Sequence, residues 1–230
     1  MKKAIITPLP PLSGSPAARL AQLRDRLAAA AARGNHPAPA LIAVSKMQSA
    51  ATIRPWLEAG QRRFGENRVQ EAQAKWPALK ADYPDAELHL IGRLQSNKAA
   101  DAVALFDAIH SVDRPSLISA IAAAQAATGR TLMLFAQVNL GDEAQKGGVA
   151  PADLPALLAT ARAAGLGIGG LMCIPPADKD PAIYFALLAR LAKDNSLPRL
   201  SMGMSDDYDI AATLGATHVR IGTALFLADL

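Results

Sequence analysis

Lys46 closes the run Leu41-Ile42-Ala43-Val44-Ser45. Four apolar residues, two of them β-branched, describe a short strand buried on both faces, the kind used in parallel sheets. The lysine then stands at or just past the strand's carboxyl end, partly desolvated. Desolvation disfavours the ammonium form, and a neutral amine is a nucleophile suited to a Schiff base with a carbonyl compound. An isolated lysine more often marks a strand end by reaching into water, so the reading depends on what stands further along the chain.

Two later groups bear on it: Ser201 to Ser205, and Arg220-Ile221-Gly222-Thr223. Hydroxyls of Ser201 and Ser205, with Gly222 and Thr223, suit a phosphate held by side-chain O–H and backbone N–H groups after the last two strands of a barrel. A Gly-Thr pair by itself marks a turn; both groups falling in these two loops is what points to phosphate. Asp206 and Asp207 would repel a phosphate and are expected to face outward at a helix start. An amine on the first strand facing a phosphate pocket describes a site for a phosphorylated aldehyde, and pyridoxal 5′-phosphate (PLP) is such a molecule. Arg220 would then face the pyridine nitrogen, where a permanent cation keeps the nitrogen unprotonated and weakens the ring as an electron sink. The alternative for Arg220 is a salt bridge at the barrel mouth.

The elements that must position these residues read as a strict alternation. Ser15-Pro16, then Leu20, Leu23 and Leu27, closing at Gly34, predict a capped amphipathic helix. Apolar strand patterns follow at 41–45, 62–67, 88–92, 108–112, 132–140, 170–174, 199–203 and 218–226, the fifth being the longest, with helical patterns between them. Alternation argues for parallel strands with crossover helices, and eight repeats for closure into a single (β/α)8 TIM barrel. An open doubly wound sheet is the runner-up, but no Gly-x-Gly-x-x-Gly follows the first strand. Residues 1–230 are read as one domain, with 1–14 an irregular N-terminal extension.

Composition excludes several classes. With 51% hydrophobic and 19% charged residues in 230, the chain is an ordinary globular protein. A single cysteine, Cys173, rules out a disulfide framework and suits a reducing compartment. No apolar run approaches the ~20 residues needed to span a membrane. Pro8, Pro10 and Pro11 cut the first apolar stretch too short for a signal peptide, so a cytoplasmic location is expected. The net charge of +4 comes from scattered residues without interleaved aromatics, which argues against nucleic acid as a partner, and no zinc-ligand spacing occurs.

The segments AVSK (43–46), FGEN with VQEAQAK (64–75), HLIGRLQSNK (89–98), IHSVD (109–113), QVNLGDEAQKGG (137–148), GLMCIPP (170–176), LSMGMSDD (200–207) and VRIGTALF (219–226) run in order along the chain. In these the sequence resembles the pyridoxal-phosphate homeostasis protein family, whose bacterial members are often labelled YggS-like. The resemblance implies a barrel like the N-terminal domain of alanine racemase, with PLP on Lys46. It also implies phosphate contacts at Ser201, Gly222 and Thr223, a ring-nitrogen contact from Arg220, and Asn67 near the cofactor. Met47 stands where the family usually has threonine, Arg93 where histidine is common, and the usual Gly-x-Arg tail is absent.

An enzyme that racemises or decarboxylates through this cofactor needs a second proton-moving group opposite the lysine. In the racemase-like arrangement that group comes from a further domain and a partner subunit. Within the barrel the candidates are His89, His110, Tyr208 and Lys146. The histidines lie in strand patterns, where a hydrogen-bonded core role is commoner, and Tyr208 at a helix start is read as surface cover. Lys146, in the loop after strand five, is read as a second amine for PLP transfer, against a solvated loop charge. Cys173 reads as core, and Glu66 either orients Asn67 or caps the next helix. The expectation is therefore a monomeric PLP carrier and regulator that supplies apo-enzymes, with an amino-acid racemase or related enzyme as the alternative.

Overall fold

The computed structural model describes residues 10–141, 143 and 147–226. Eight strands are present: β1 (Ala40–Val44), β2 (Arg63–Glu66), β3 (Glu87–Leu90), β4 (Ala108–Val112), β5 (Met133–Gln137), β6 (Ile168–Met172), β7 (Arg199–Ser201) and β8 (His218–Ile221). All neighbours pair in parallel, and β1 pairs with β8 in the register Ile42↔Arg220, which closes the barrel. The helices are α1 (Pro16–Arg33), α2 (Ala50–Glu58), α3 (Val69–Asp82), α4 (Ala99–Leu105), α5 (Pro115–Thr128), α6 (Leu154–Ala163), α7 (Pro181–Asp194), α8 (Tyr208–Thr213) and α9 (Thr223–Phe226).

Local chemistry explains the elements. The Ser15 side chain caps α1 by accepting from Ala18 N–H, Pro16 opens it, and Gly34 returns its N–H to the carbonyl of Ala31. The two-residue period of the strands divides the core in two. Leu41, Ala43, Phe64, Leu88 and Leu90 point outward into the apolar layer beneath the helices. Phe64 and Trp76, fully buried with ring centroids 5.1 Å apart, tie β2 to α3; burying one such side chain stabilises by roughly 1.5–3 kcal/mol. Ile42, His89, His110, Phe135, Ser201, His218 and Arg220 are out of phase with that layer and fill the barrel interior, which is unusually polar.

Most strands end earlier than expected; β3 stops at Leu90 and β6 at Met172, two residues short. β5 stops at Gln137 and is no longer than β1, β4 or β6. Beyond it Val138 bridges Val149, and Asn139 binds the backbone of Glu143, so the chain turns into a loop. β7 ends at Ser201, and β8 at Ile221, where the Gly222 carbonyl accepts from the N–H groups of Leu225 and Phe226 and winds the chain into α9. Among the described residues no helix is long and apolar enough to cross a membrane.

Candidate functional site

Strand phase aims the key side chains. Lys46 follows Ile42 and Val44 at intervals of two, so it rises at the mouth on the barrel's inner face. It is exposed there, not partly desolvated as the strand-end argument expects, because β1 ends two residues earlier. Its backbone is held from below by α3. Buried Lys75 places its Nζ 2.9 Å from the carbonyls of both Ser45 and Gln48, 2.9 Å from Glu71 and 3.0 Å from Glu66. Glu71 also accepts from Met47 N–H, and Met47 adopts φ +62°. The turn carrying Lys46 is thereby fixed at three successive points.

Glu66 neither orients Asn67 nor caps α3. Its fully buried carboxylate accepts from Ser45 Oγ at 2.5 Å and Trp76 Nε1 at 3.1 Å. Burial pushes its pKa up, while Ser45, Trp76 and Lys75 pull it back. Lys75 is a site-building residue that sequence reasoning missed; its only sequence signal is the i, i+4 spacing from Glu71, which any solvated helix pair shares.

A cavity of about 500 Å³ opens at the mouth. Lys46, Asn67, Arg220, Gly222 and Thr223 all line it, together with Ser205. Gly222 allows this convergence: a Cβ there would stand 3.1 Å from the Val44 carbonyl and 3.2 Å from its Cβ, so the exit of β8 lies directly against the end of β1. At Gly92 a Cβ would sit 2.2 Å from the Asn67 carbonyl, and its absence lets Asn67 pack over the end of β3. Gln137 and Asn139 complete the far wall.

Ser201 is not on that wall. Its register opposite His218 places it one layer beneath Arg220, fully buried. Arg220 donates from Nη1 to Ser201 Oγ at 2.6 Å and from Nη2 to the Cys173 carbonyl at 2.9 Å. His110 Nδ1 is 2.8 Å from Ser201 Oγ, and its Nε2 is 2.9 Å from His89 Nδ1. Since Ser201 accepts from Arg220, its own proton is free for His110 Nδ1. A neutral His110 then donates its Nε2–H to His89 Nδ1. That order leaves His89 Nε2–H facing Glu87 at 3.7 Å, an electrostatic contact too long for a hydrogen bond. The chain of bonds thus runs one way, from the guanidinium at the mouth down through the barrel, and Ser201 serves to aim Arg220.

Arg220 itself is buried, and no carboxylate among the described residues pairs with it. Burial lowers its pKa, which Cys173 and Asp207 partly offset, yet a guanidinium stays charged at any working pH. His110 is pushed well below its ordinary value by burial first, then by His89, Arg220 and His218. His218 is pushed down to about 3, again mainly by burial. Both shifts are downward from 6.5, so below that pH the unfolded chain binds more protons than the native one. Stability is complete above about pH 6.5 and is lost as pH falls toward 3, at ~1.4 kcal/mol per pH unit for each such histidine. Urea unfolding between about pH 7.5 and about pH 5 measures this slope. His218→Gln is expected to reduce it by one proton's worth, and an unchanged slope would place the acid sensitivity elsewhere.

The remaining expectations sort as follows. Asp206 is exposed and stands among the residues that line the cavity, and Asp207 accepts from Met204 N–H. Tyr208 is buried at the start of α8, in the core and not on the surface. His89 and His110 are hydrogen-bonded core residues. Cys173 is buried, and burial pushes its thiol up to about 12, so it is no nucleophile. Lys146 lies outside the described residues.

A family model, alanine racemase, N-terminal domain, matches residues 18–229. The pyridoxal phosphate homeostasis protein of Pseudomonas aeruginosa is 44% identical over 205 residues, covering 86% of this chain and 88% of its own. The protein of the same name from Escherichia coli strain K12 is 37% identical over 219 residues, covering 90% and 94%. Among solved structures, PipY of Synechococcus elongatus with PLP bound superposes with a TM-score of 0.80 at 43% identity, covering 92% of this chain and 99% of PipY. Matched at these identities from its first helix to the end of its barrel, the chain belongs to the pyridoxal phosphate homeostasis protein family, built on the alanine racemase N-terminal-domain fold.

Proposed function

We propose that this chain binds PLP covalently through Lys46 and holds it for delivery to apo-enzymes in the cytoplasm, with no robust turnover of its own. The observation that carries the reading is the convergence of Lys46, Arg220 and the Gly222-Thr223 turn on one cavity. Its volume of about 500 Å³ falls within the ~300–1,000 Å³ of small-molecule sites. The name of the relatives and the PLP-bound PipY structure support the same ligand.

The donor set fits PLP. When bound, the cofactor supplies an aldehyde carbon to an amine and a ring that withdraws electrons from what is attached there. Lys46 provides the amine, on a turn immobilised by Lys75. Gly222 and Thr223 head α9, where the Thr223 N–H precedes the first helical hydrogen bond and can meet a phosphate; the Ala224 N–H donates to Ser205 Oγ at 3.5 Å, which holds that hydroxyl beside the turn with the Thr223 hydroxyl. Arg220, unpaired and aimed by Ser201, favours a ring nitrogen that carries no proton. Asn67 walls the pocket between them.

Holding differs from catalysis in what else faces the cavity. Among the described residues its lining offers one carboxylate, Asp206, and no histidine, tyrosine or cysteine to move a proton opposite Lys46. Together with Arg220, which weakens the ring as an electron sink, this supports a carrier over an enzyme. Incubation of PLP-loaded protein with amino acids in heavy water decides between them. The carrier shows no α-deuterium incorporation but activates an added apo-enzyme; incorporation at a catalytic rate would make Asp206 a proton carrier and the protein an enzyme.

A further inference from the structure

Beside the mouth lies a second, larger cleft of about 670 Å³, separated from the first by a shared wall of Asn67 and Arg93. Its lining carries four cations, Arg68, Arg93, Lys98 and Arg114, and no acidic residue. The carboxylates nearby act from behind. Asp113 pairs with Arg114 at 2.6 Å, and Asp101 with Lys98 at 3.5 Å. Glu71, the acid in the first turn of α3, is turned toward Lys75 and Met47. Arg114 also donates to the Leu94 carbonyl at 2.7 Å and to Ser96 Oγ at 3.2 Å, so this wall is built rather than mobile side chain. Arg68 and Arg93 are exposed at the rim. The start of α3, whose N-cap residue Arg68 makes no side-chain cap, adds its positive end to the floor.

We infer that this cleft is a separate binding site for a phosphorylated small molecule. Asp113 and Asp101 offset Arg114 and Lys98, which leaves Arg68 and Arg93 at the rim without an ion pair among the described residues, and their planar, bidentate donors match phosphate oxygens. The cleft is wider than a lone phosphate needs. Apart from Val69 and Leu94 its lining is polar, and it holds no aromatic ring on which a base could stack. Such a polar lining suits the hydroxyls of a phosphorylated polyol or sugar. A ligand here would touch Arg93 and Asn67 from the side opposite the mouth, giving a second anion direct purchase on the wall of the PLP pocket.

The inference depends on the carrier reading only for the blocking step of its test. Protein loaded with PLP and reduced with borohydride has its mouth filled for good; it is titrated by calorimetry with glycerol 3-phosphate and, separately, with glycerol. Saturable binding of the phosphate ester but not of glycerol is expected. The double variant Arg68→Ala/Lys98→Ala should weaken it at least ~tenfold. Neither residue lines the mouth, so the yield of the reduced adduct should be the same in the variant. Absence of saturable binding, or binding untouched by the double substitution, overturns the inference. If no adduct forms at Lys46, the carrier reading fails, and titration of the untreated protein still decides the cleft through the same two residues.

Discussion

Lys46→Ala is expected to abolish every borohydride-stable adduct of PLP while leaving the protein folded. Lys46 is exposed at the mouth, and a surface substitution of this kind moves stability by no more than ~0.5 kcal/mol. Arg220, Gly222 and Thr223 remain, so residual non-covalent binding persists, weakened by at least ~100-fold, or about 2.7 kcal/mol. Lys46→Arg should behave like the alanine variant, since a guanidinium keeps the charge but is no nucleophile. Equilibrium dialysis of both variants against PLP, with unfolding curves alongside, checks the two halves of the prediction. A stable adduct in either variant would move the linkage to another lysine.

Lys75→Met carries the largest expected loss of stability. Lys75 is 9% exposed and Glu66 0%, and removing one partner of a buried ion pair costs ~3–5 kcal/mol. Most of that cost is the stranded carboxylate, so adding Glu66→Gln should recover a good part of it. The sign with pH follows from Glu66: burial already raises its pKa, and loss of Lys75 raises it further. The native variant then takes up a proton above the ordinary carboxylate range, and its deficit against wild type shrinks as pH falls through that raised value. Urea midpoints of the single variant, the double variant and wild type, at about pH 7 and about pH 5, test both points. A functional signature accompanies the structural one, because Lys75 grips the carbonyls on either side of Lys46: the single variant should form the PLP adduct more slowly even where it is folded. A single variant as stable as wild type would contradict the anchoring role.

The alternation of strands and helices was legible because parallel strands buried on both faces leave short apolar runs, and because Ser15, Pro16 and Gly34 mark their helix chemically. Strand ends were not. Val138 and Leu140, or Ala224 to Phe226, are as apolar as the strands before them, and composition does not say which carbonyl will take their N–H groups. In the site, Lys46, Asn67, Arg220, Gly222 and Thr223 could be gathered from a rule about strand ends alone. Ser201 could not be placed by it, since depth in a barrel depends on the stagger between neighbours, and only the register Ser201↔His218 shows that it sits beneath the mouth. Lys75 was hidden for a different reason: its spacing from Glu71 is that of any exposed helical ion pair, and burial is a property of the assembled fold.

The most direct test is an absorbance spectrum of the protein incubated with PLP, recorded before and after borohydride, followed by peptide mass analysis. A visible band that borohydride removes, with the reduced pyridoxyl mass on the peptide containing Lys46 and on no other, is the result this account predicts. No band, or a label distributed over several lysines or confined to another, would contradict it.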